Sequence, residues 1–138
     1  MLDEFLFQEH QKGQLKLPLQ KISQEKIWVH GHCHQKAANA TGSTLGILQT
    51  IPGLEVELIP SSCCGMAGSF GYESENYEIS MKMAELSLLP KIRTLDQNHG
   101  IVACGTSCRQ QIQHGSGKPA MHTAQILRKA IRDASSIN

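Results

Sequence analysis

Apolar and polar positions along the chain change period several times, and the changes mark out alternating strands and helices. Ile27-Trp28-Val29 is a short β-type run that ends in His30-Gly31-His32-Cys33-His34. Ala37, Thr41, Leu45 and Leu48 then recur at helical spacing, and Pro52-Gly53 closes that helix with a turn. Leu54 to Pro60 alternates like a strand and runs into Ser61-Ser62-Cys63-Cys64-Gly65. A glycine-rich loop through Gly68 and Gly71 precedes a helix with Tyr77, Met81, Ala84 and Leu88 on one face, which Pro90 kinks or ends. After Gly100, Ile101-Val102-Ala103 is a third strand that delivers Cys104. Ser107 with Gln110 forms a capping box, so the next helix is expected to start around Cys108. Ala120-Met121 is a weak fourth strand, followed by a helix carrying Ile126, Leu127, Ala130 and Ile131 on one face. The tail from Ser135 to Asn138 is expected to fray.

Strands alternating with helices at this spacing predict a small Rossmann-like α/β fold, with a mostly parallel sheet of three to four strands flanked by helices. Ligands of such sheets sit beyond the carboxyl ends of the strands. The cysteines fall there: Cys33 after the first strand, Cys63 and Cys64 after the second, Cys104 and Cys108 after the third. Residues 1–25 fit the pattern less well. They open on Leu2, Phe5, Leu6 and Phe7, continue in a Lys/Gln/Leu segment, and lack a convincing helix cap. The expected division is an N-terminal extension over 1–25, a remnant of a larger protein, and a cysteine-rich domain over 26–135.

A chain of 138 residues suffices for one domain with a hydrophobic core. With aromatic residues at 4%, that core must be mostly aliphatic, with methionine filling gaps. Net charge is +1, and no basic run or aromatic platform supports nucleic-acid binding. Apolar runs are far shorter than a transmembrane segment, and the acidic start MLDEFLFQEH is unlike a signal peptide. The expected location is cytoplasmic, either free or peripheral to the inner face of a membrane. In that reducing compartment five cysteines point to ligands or reactive thiols rather than disulfides. Cys63 and Cys64 are moreover adjacent, and a bridge between neighbours is strained. Burial as small hydrophobes would not explain their placement after strands.

Cysteine binds metal as the thiolate, and helix N-termini lower thiol pKa values. Cys108 stands at an expected helix start and Cys33 just ahead of another. Gly65, Gly68 and Gly71 would let backbone N–H groups approach a cluster, and Arg109 would add positive charge beside it. The glycine loop lacks the G-x-G-x-x-G order and the Walker lysine, which leaves a phosphate cradle weakly supported. His30, His32 and His34 would share a face on an extended segment, and histidine with cysteine is a normal zinc set. Local hydrogen bonding nevertheless explains any single one of them better. His122 is placed for support of the same rim. A Cys33–histidine nucleophile lacks an orienting Asn or Asp.

The phrases HGHCHQKA, SSCCGMAGSFGYE and GTSCRQQI resemble the cysteine-rich CCG domain. That domain occurs in heterodisulfide reductase, in iron–sulfur subunits of glycolate-, lactate- and glycerol-3-phosphate-oxidising enzymes, and at the C-terminus of bacterial FAD-linked oxidases of the D-lactate dehydrogenase type. The likeness spans about Glu4 to Ile131. It implies a [4Fe–4S] cluster, of noncubane type, held by Cys33, Cys63, Cys64, Cys104 and Cys108. Three residues rather than two separate Cys104 from Cys108, so a four-cysteine site using Cys108 is the alternative. No FAD domain or ferredoxin-type cysteines are present in this sequence. An FAD-binding domain or subunit and a ferredoxin-like iron–sulfur domain are therefore the expected partners. The module would relay electrons from flavin to an acceptor and have no dehydrogenase activity alone. Two alternatives stay open: a zinc-binding structural or docking module, and a thiol–disulfide site at Cys63 and Cys64.

Overall fold

Three parallel strands form the middle of the domain. In the computed structural model, which describes residues 1–135, β1 (Lys26–His30) lies between β2 (Glu55–Leu58) and β3 (His99–Ala103). Lys26 is level with Glu55 on one side and His99 on the other, and His30 is level with Ala103. The mixed α/β fold with a parallel, helix-flanked sheet is thus as expected. The fourth strand shrinks to one parallel bridge between Val102 and Met121. Pro119 has no N–H to lengthen it upstream, and the chain turns into a helix directly after His122.

Strand β1 is buried on both faces, which is why it reads as a continuous apolar run. Ile27, Val29 and Val102 face a layer containing Ile47 and Leu48 of α3 (Thr41–Gln49) and Ile126, Leu127 and Ala130 of α7 (Thr123–Ser135). Trp28, Ile101 and Ala103 face the opposite layer. It includes Leu88 and Ile92 of α5 (Leu88–Arg93), Ile112 of α6 (Thr106–Ser116), and Cys64, Met66 and Cys108. Each fully buried Leu or Ile contributes about 2 kcal/mol of transfer free energy. Trp28 closes one edge: its indole N–H donates to His99 Nδ1 at 3.2 Å, and the Lys26 and Lys91 ammonium groups stand 4.4 and 4.2 Å from its ring centre.

Three helix boundaries differ from the sequence pattern. The helix expected through Ala37 and Leu48 is two, α2 (Cys33–Ala37) and α3, because Asn39 between them adopts φ 53°. Helix α4 (Tyr77–Glu85) ends before α5, with Leu86 and Ser87 between. In a continuous helix the Pro90 ring would strike the carbonyl of Leu86, four residues back. Helix α6 is capped by Gly105 and begins at Thr106, so Ser107 lies inside its first turn rather than at the cap.

The stretch 1–25 carries helix α1 (Leu2–Gln11), which packs on α3, and adds Ile22 to the core. Phe7 of α1 lies against Gly46, where a Cβ would come within 2.3 Å of the ring, so only glycine admits this approach. Asp3, 2% exposed, ties the helix down: its Oδ2 accepts from Thr44 Oγ1 at 2.6 Å, Thr123 Oγ1 at 3.1 Å and Cys104 Sγ at 3.1 Å. No helix among the described residues is long and apolar enough to cross a membrane. The tail reading falls, beyond Ser135, outside the described residues.

Asp3→Ala removes the acceptor shared by three donors and is expected to cost about 1–3 kcal/mol. Urea unfolding measures the loss, and amide exchange should show α1 opening first. An unchanged midpoint would mean that Phe7 packing alone holds α1.

Candidate metal centre

The sheet order puts the ends of β1 and β3 side by side at the point where the chain switches from one side of β1 to the other. This is the usual ligand position of open α/β sheets. Cys33 begins α2 directly after β1, Cys63 and Cys64 follow β2, and Cys108 lies in the first turn of α6 after β3. These four line one cavity of about 130 Å³, together with Gly68 and Ser107. The thiols form two pairs: Cys33 and Cys63 Sγ are 3.6 Å apart, Cys64 and Cys108 Sγ 3.3 Å. All are free thiols. Cys64 and Cys108 are buried, whereas Cys33 is on the open side.

Backbone and side-chain ties hold the loops in place. Lys36 of α2 reaches over to donate to the carbonyls of Ser61 and Ser62, at 2.5 and 2.6 Å, just ahead of the Cys-Cys pair. Gly65 N–H donates to Cys63 Sγ at 3.3 Å. Gly65 has φ +89°, and a Cβ there would fall 2.1 Å from the Ser80 carbonyl oxygen, so no other residue fits. Gln111 of α6 donates to Ser80 Oγ at 2.9 Å and so fastens α6 to α4 beneath the loop.

Two expected site residues lie elsewhere. Cys104 is turned to the other side of the strand edge, bonded to Asp3 and 3.3 Å from Thr123 Oγ1. It lines a separate cavity of about 390 Å³ with Asp3, His32 and His122. Arg109 donates to the carbonyls of Ala103 and Cys104, at 2.9 and 2.8 Å, and so braces the loop from β3 to α6 instead of facing the thiols.

The histidines take separate tasks, because β1 ends at His30 and alternation stops there. His30 is buried, with Nδ1 2.9 Å from Ser61 Oγ. His32 caps α2: its Nδ1 accepts from His34 N–H at 3.2 Å, while Gln35 Oε1 accepts from His32 N–H at 3.0 Å. His122 and Gln125 repeat this reciprocal cap on α7, at 3.1 and 2.7 Å. His34 is exposed. Sequence reasoning missed the supporting group Asp3–Thr44–Gln35, in which Gln35 Nε2 donates to Thr44 Oγ1 at 3.0 Å. The repeated H-x-x-Q spacing was the available signal for the caps; nothing local marked Asp3.

The Cys64 thiol is unusually acidic, its pKa pulled down to about 4 because Cys108 donates a hydrogen bond to its sulfur, with the His30 ring close by. Cys108 is pushed far up by the same bond, since it holds the shared proton. Partial burial raises Cys33, and burial raises Cys104. Burial lowers His32, which fits its neutral role as a cap acceptor.

A buried group of thiols and an imidazole fits metal binding. Among the described residues, His30, Cys64 and Cys108 have donor atoms all within 4.8 Å of one another, and neither Cys33 nor Cys63 joins a group that tight. The fold and this site together define a cysteine-rich α/β module with soft metal donors at the carboxyl edge of a parallel sheet.

Proteins similar to this chain are dehydrogenases and a dehydrogenase subunit. The chain is 30% identical over 117 residues to one subunit of the anaerobic glycerol-3-phosphate dehydrogenase of Escherichia coli, covering 83% of this chain and 28% of the relative. It is 32% identical over 117 residues to D-2-hydroxyglutarate dehydrogenase of the same organism, covering 83% of this chain and 11% of that protein. With D-2-hydroxyglutarate dehydrogenase of Pantoea ananatis it shares 33% over 134 residues, 95% of this chain and 12% of the relative. The chain thus spans less than a third of each of these proteins. These relationships are consistent with a C-terminal CCG-type domain of FAD-linked oxidases. No family profile matches the chain, and no solved structure does.

In the reduced, metal-free chain, ultraviolet thiolate absorbance should report one thiolate at mildly acidic pH, lost as pH falls through about 4. Cys108→Ala, which removes the donor, should move that transition upward. Absence of thiolate until the range of a free cysteine, about 8.5, would show that the pair does not share a proton.

Proposed function

We propose that this chain is an iron–sulfur electron-transfer module of an FAD-linked oxidoreductase acting on a 2-hydroxy acid of the D-lactate or glycolate type. What carries the reading is one cavity lined by four thiols drawn from the ends of all three strands. The two thiol pairs do not converge on one point, and a single tetrahedral ion would need every sulfur pair about 3.8 Å apart, given metal–sulfur bonds of about 2.3 Å. A centre with several irons offers each thiolate its own metal. Cys33, Cys63, Cys64 and Cys108 would hold a [4Fe–4S] cluster, which when bound takes up and passes on single electrons.

The residues around that site supply what a relay needs. Burial of Cys64 and Cys108 keeps water from half of the centre. Cys64 is held well below the usual thiol range by the bond from Cys108, so metal binding at the pair has one shared proton to displace rather than two. The Gly65 N–H bond to Cys63 sulfur withdraws charge and raises the potential of whatever metal that sulfur binds. Oxidation of the substrate would take place at FAD on another domain or subunit, with a ferredoxin-like domain carrying electrons in between. The relatives include dehydrogenases of glycerol 3-phosphate and D-2-hydroxyglutarate, each named for a substrate oxidised at a carbinol. Attachment to such a partner at the inner face of the cytoplasmic membrane is part of this reading.

Protein purified without oxygen and reconstituted should contain about four iron and four sulfide per chain and be brown. Changing Cys33, Cys63, Cys64 or Cys108 to Ser should each lower the iron content, whereas Cys104→Ser should retain it. Zinc alone, persisting through attempted iron–sulfide reconstitution, would replace the relay with a structural zinc module. The isolated chain should not oxidise D-lactate with an artificial dye; turnover would place the dehydrogenase chemistry in this chain and refute the relay.

A further inference from the structure

His30 Nε2 is the one buried side-chain nitrogen or oxygen among the described residues that has no hydrogen-bond partner. The residue is 1% exposed and ends β1 opposite Ala103 of β3, so the sheet holds its backbone. Its other ring nitrogen, Nδ1, lies 2.9 Å from Ser61 Oγ, and the Ser61 hydroxyl has an acceptor of its own in the Ile59 carbonyl at 3.5 Å. In the tautomer with the ring proton on Nδ1, Ser61 Oγ is the acceptor of that proton. Nε2 then carries a bare lone pair. One ring nitrogen of His30 lies within 4.8 Å of the sulfurs of both Cys64 and Cys108, and Nε2 is the nitrogen without another partner. The thiol proton of that sulfur pair is engaged between the two sulfurs, 3.3 Å apart.

Leaving a buried polar atom unpaired is unfavourable, and a metal at this point would satisfy it. We propose that His30 is a direct ligand of the metal centre through Nε2, so that one imidazole joins the thiolates. This rests on the reading that the thiol cavity holds a metal. Histidine ligands regularly donate their second ring N–H to an outer acceptor, and Ser61 Oγ, 2.9 Å from Nδ1, is placed to be that acceptor once Nε2 binds metal. His32 and His34 also line the thiol cavity, but His32 has Nδ1 engaged on the α2 cap, His34 is exposed, and neither joins the tight group that His30 forms with Cys64 and Cys108. A neutral imidazole adds a ligand to the thiolate centre without adding negative charge.

The test uses the full chain loaded anaerobically with iron and sulfide, prepared with and without isotopic labelling of histidine nitrogen. Pulsed electron paramagnetic resonance of the reduced centre should show the strong hyperfine coupling of a directly bound histidine nitrogen. His30→Ala should lose that coupling, whereas His34→Ala should keep it. A fully loaded wild-type centre with only weak couplings would overturn His30 as a ligand while leaving the iron–sulfur reading in place. Since the wild-type spectrum decides this, failure of His30→Ala to fold changes nothing. If the chain takes up zinc only, the iron–sulfur reading falls, and zinc-edge X-ray absorption decides the ligand: a nitrogen scatterer lost in His30→Ala supports it, an all-sulfur shell refutes it. Uptake of no metal overturns both.

Discussion

Cys64 and Cys108 meet at 3.3 Å inside the same apolar layer that contains Met66, Leu88 and Ile112. Two sulfurs in such a place can share a proton or bind a metal, but they cannot be solvated. Bringing them together requires that the loops after β2 and β3 reach the same end of the sheet, which only parallel strands allow. It also requires the left-handed turn at Gly65, whose Cα side is filled by the Ser80 carbonyl. The tie from Gln111 to Ser80 then fastens α6, which carries Cys108, to α4, which follows the glycine loop. Loop geometry, helix packing and thiol acidity are in this sense one constraint seen at three scales.

The carboxyl edge of the sheet is divided into two chemically different sides. On one, four thiols line a small cavity, and the His30 ring lies against the two buried ones, Cys64 and Cys108. On the other, Asp3, Thr44, Thr123 and Cys104 form a polar group that fastens helix α1 to the domain. His32 stands at the boundary, capping α2 while lining both cavities. The matching caps at His32 and His122 leave both rings fixed by Nδ1, so their orientation is a consequence of helix termination. A segment that looked like an extension thus completes the setting of one cysteine and leaves the remaining four to the other side.

Much of this architecture was legible from local pattern. A parallel central strand is buried on both faces, so Ile27-Trp28-Val29 and Ile101-Val102-Ala103 announced themselves as uninterrupted apolar runs. Cysteines directly after strands placed the candidate site at the carboxyl edge, since strand direction and loop position are matters of order along the chain. Helix α1 was not legible, because a short helix draws its stability from packing, here Phe7 on Gly46 and Asp3 on Thr44. The break at Asn39 and the early start of α6 at Thr106 escaped for a related reason: competing caps differ by about 1 kcal/mol, and tertiary contacts decide between them.

The sequence by itself determined the order of strands and helices, the apolar faces that pair them, and the presence of thiols at three strand ends, because each depends on residues within a few positions of one another. Only the tertiary structure decided which thiols are partners. Cys33 pairs with Cys63 and Cys64 with Cys108 across 30 and 44 residues, and Cys104 answers to Asp3 across 101. Sulfur acidity and metal-binding geometry depend on distances of a few ångströms between such remote side chains, and no local spacing encodes them.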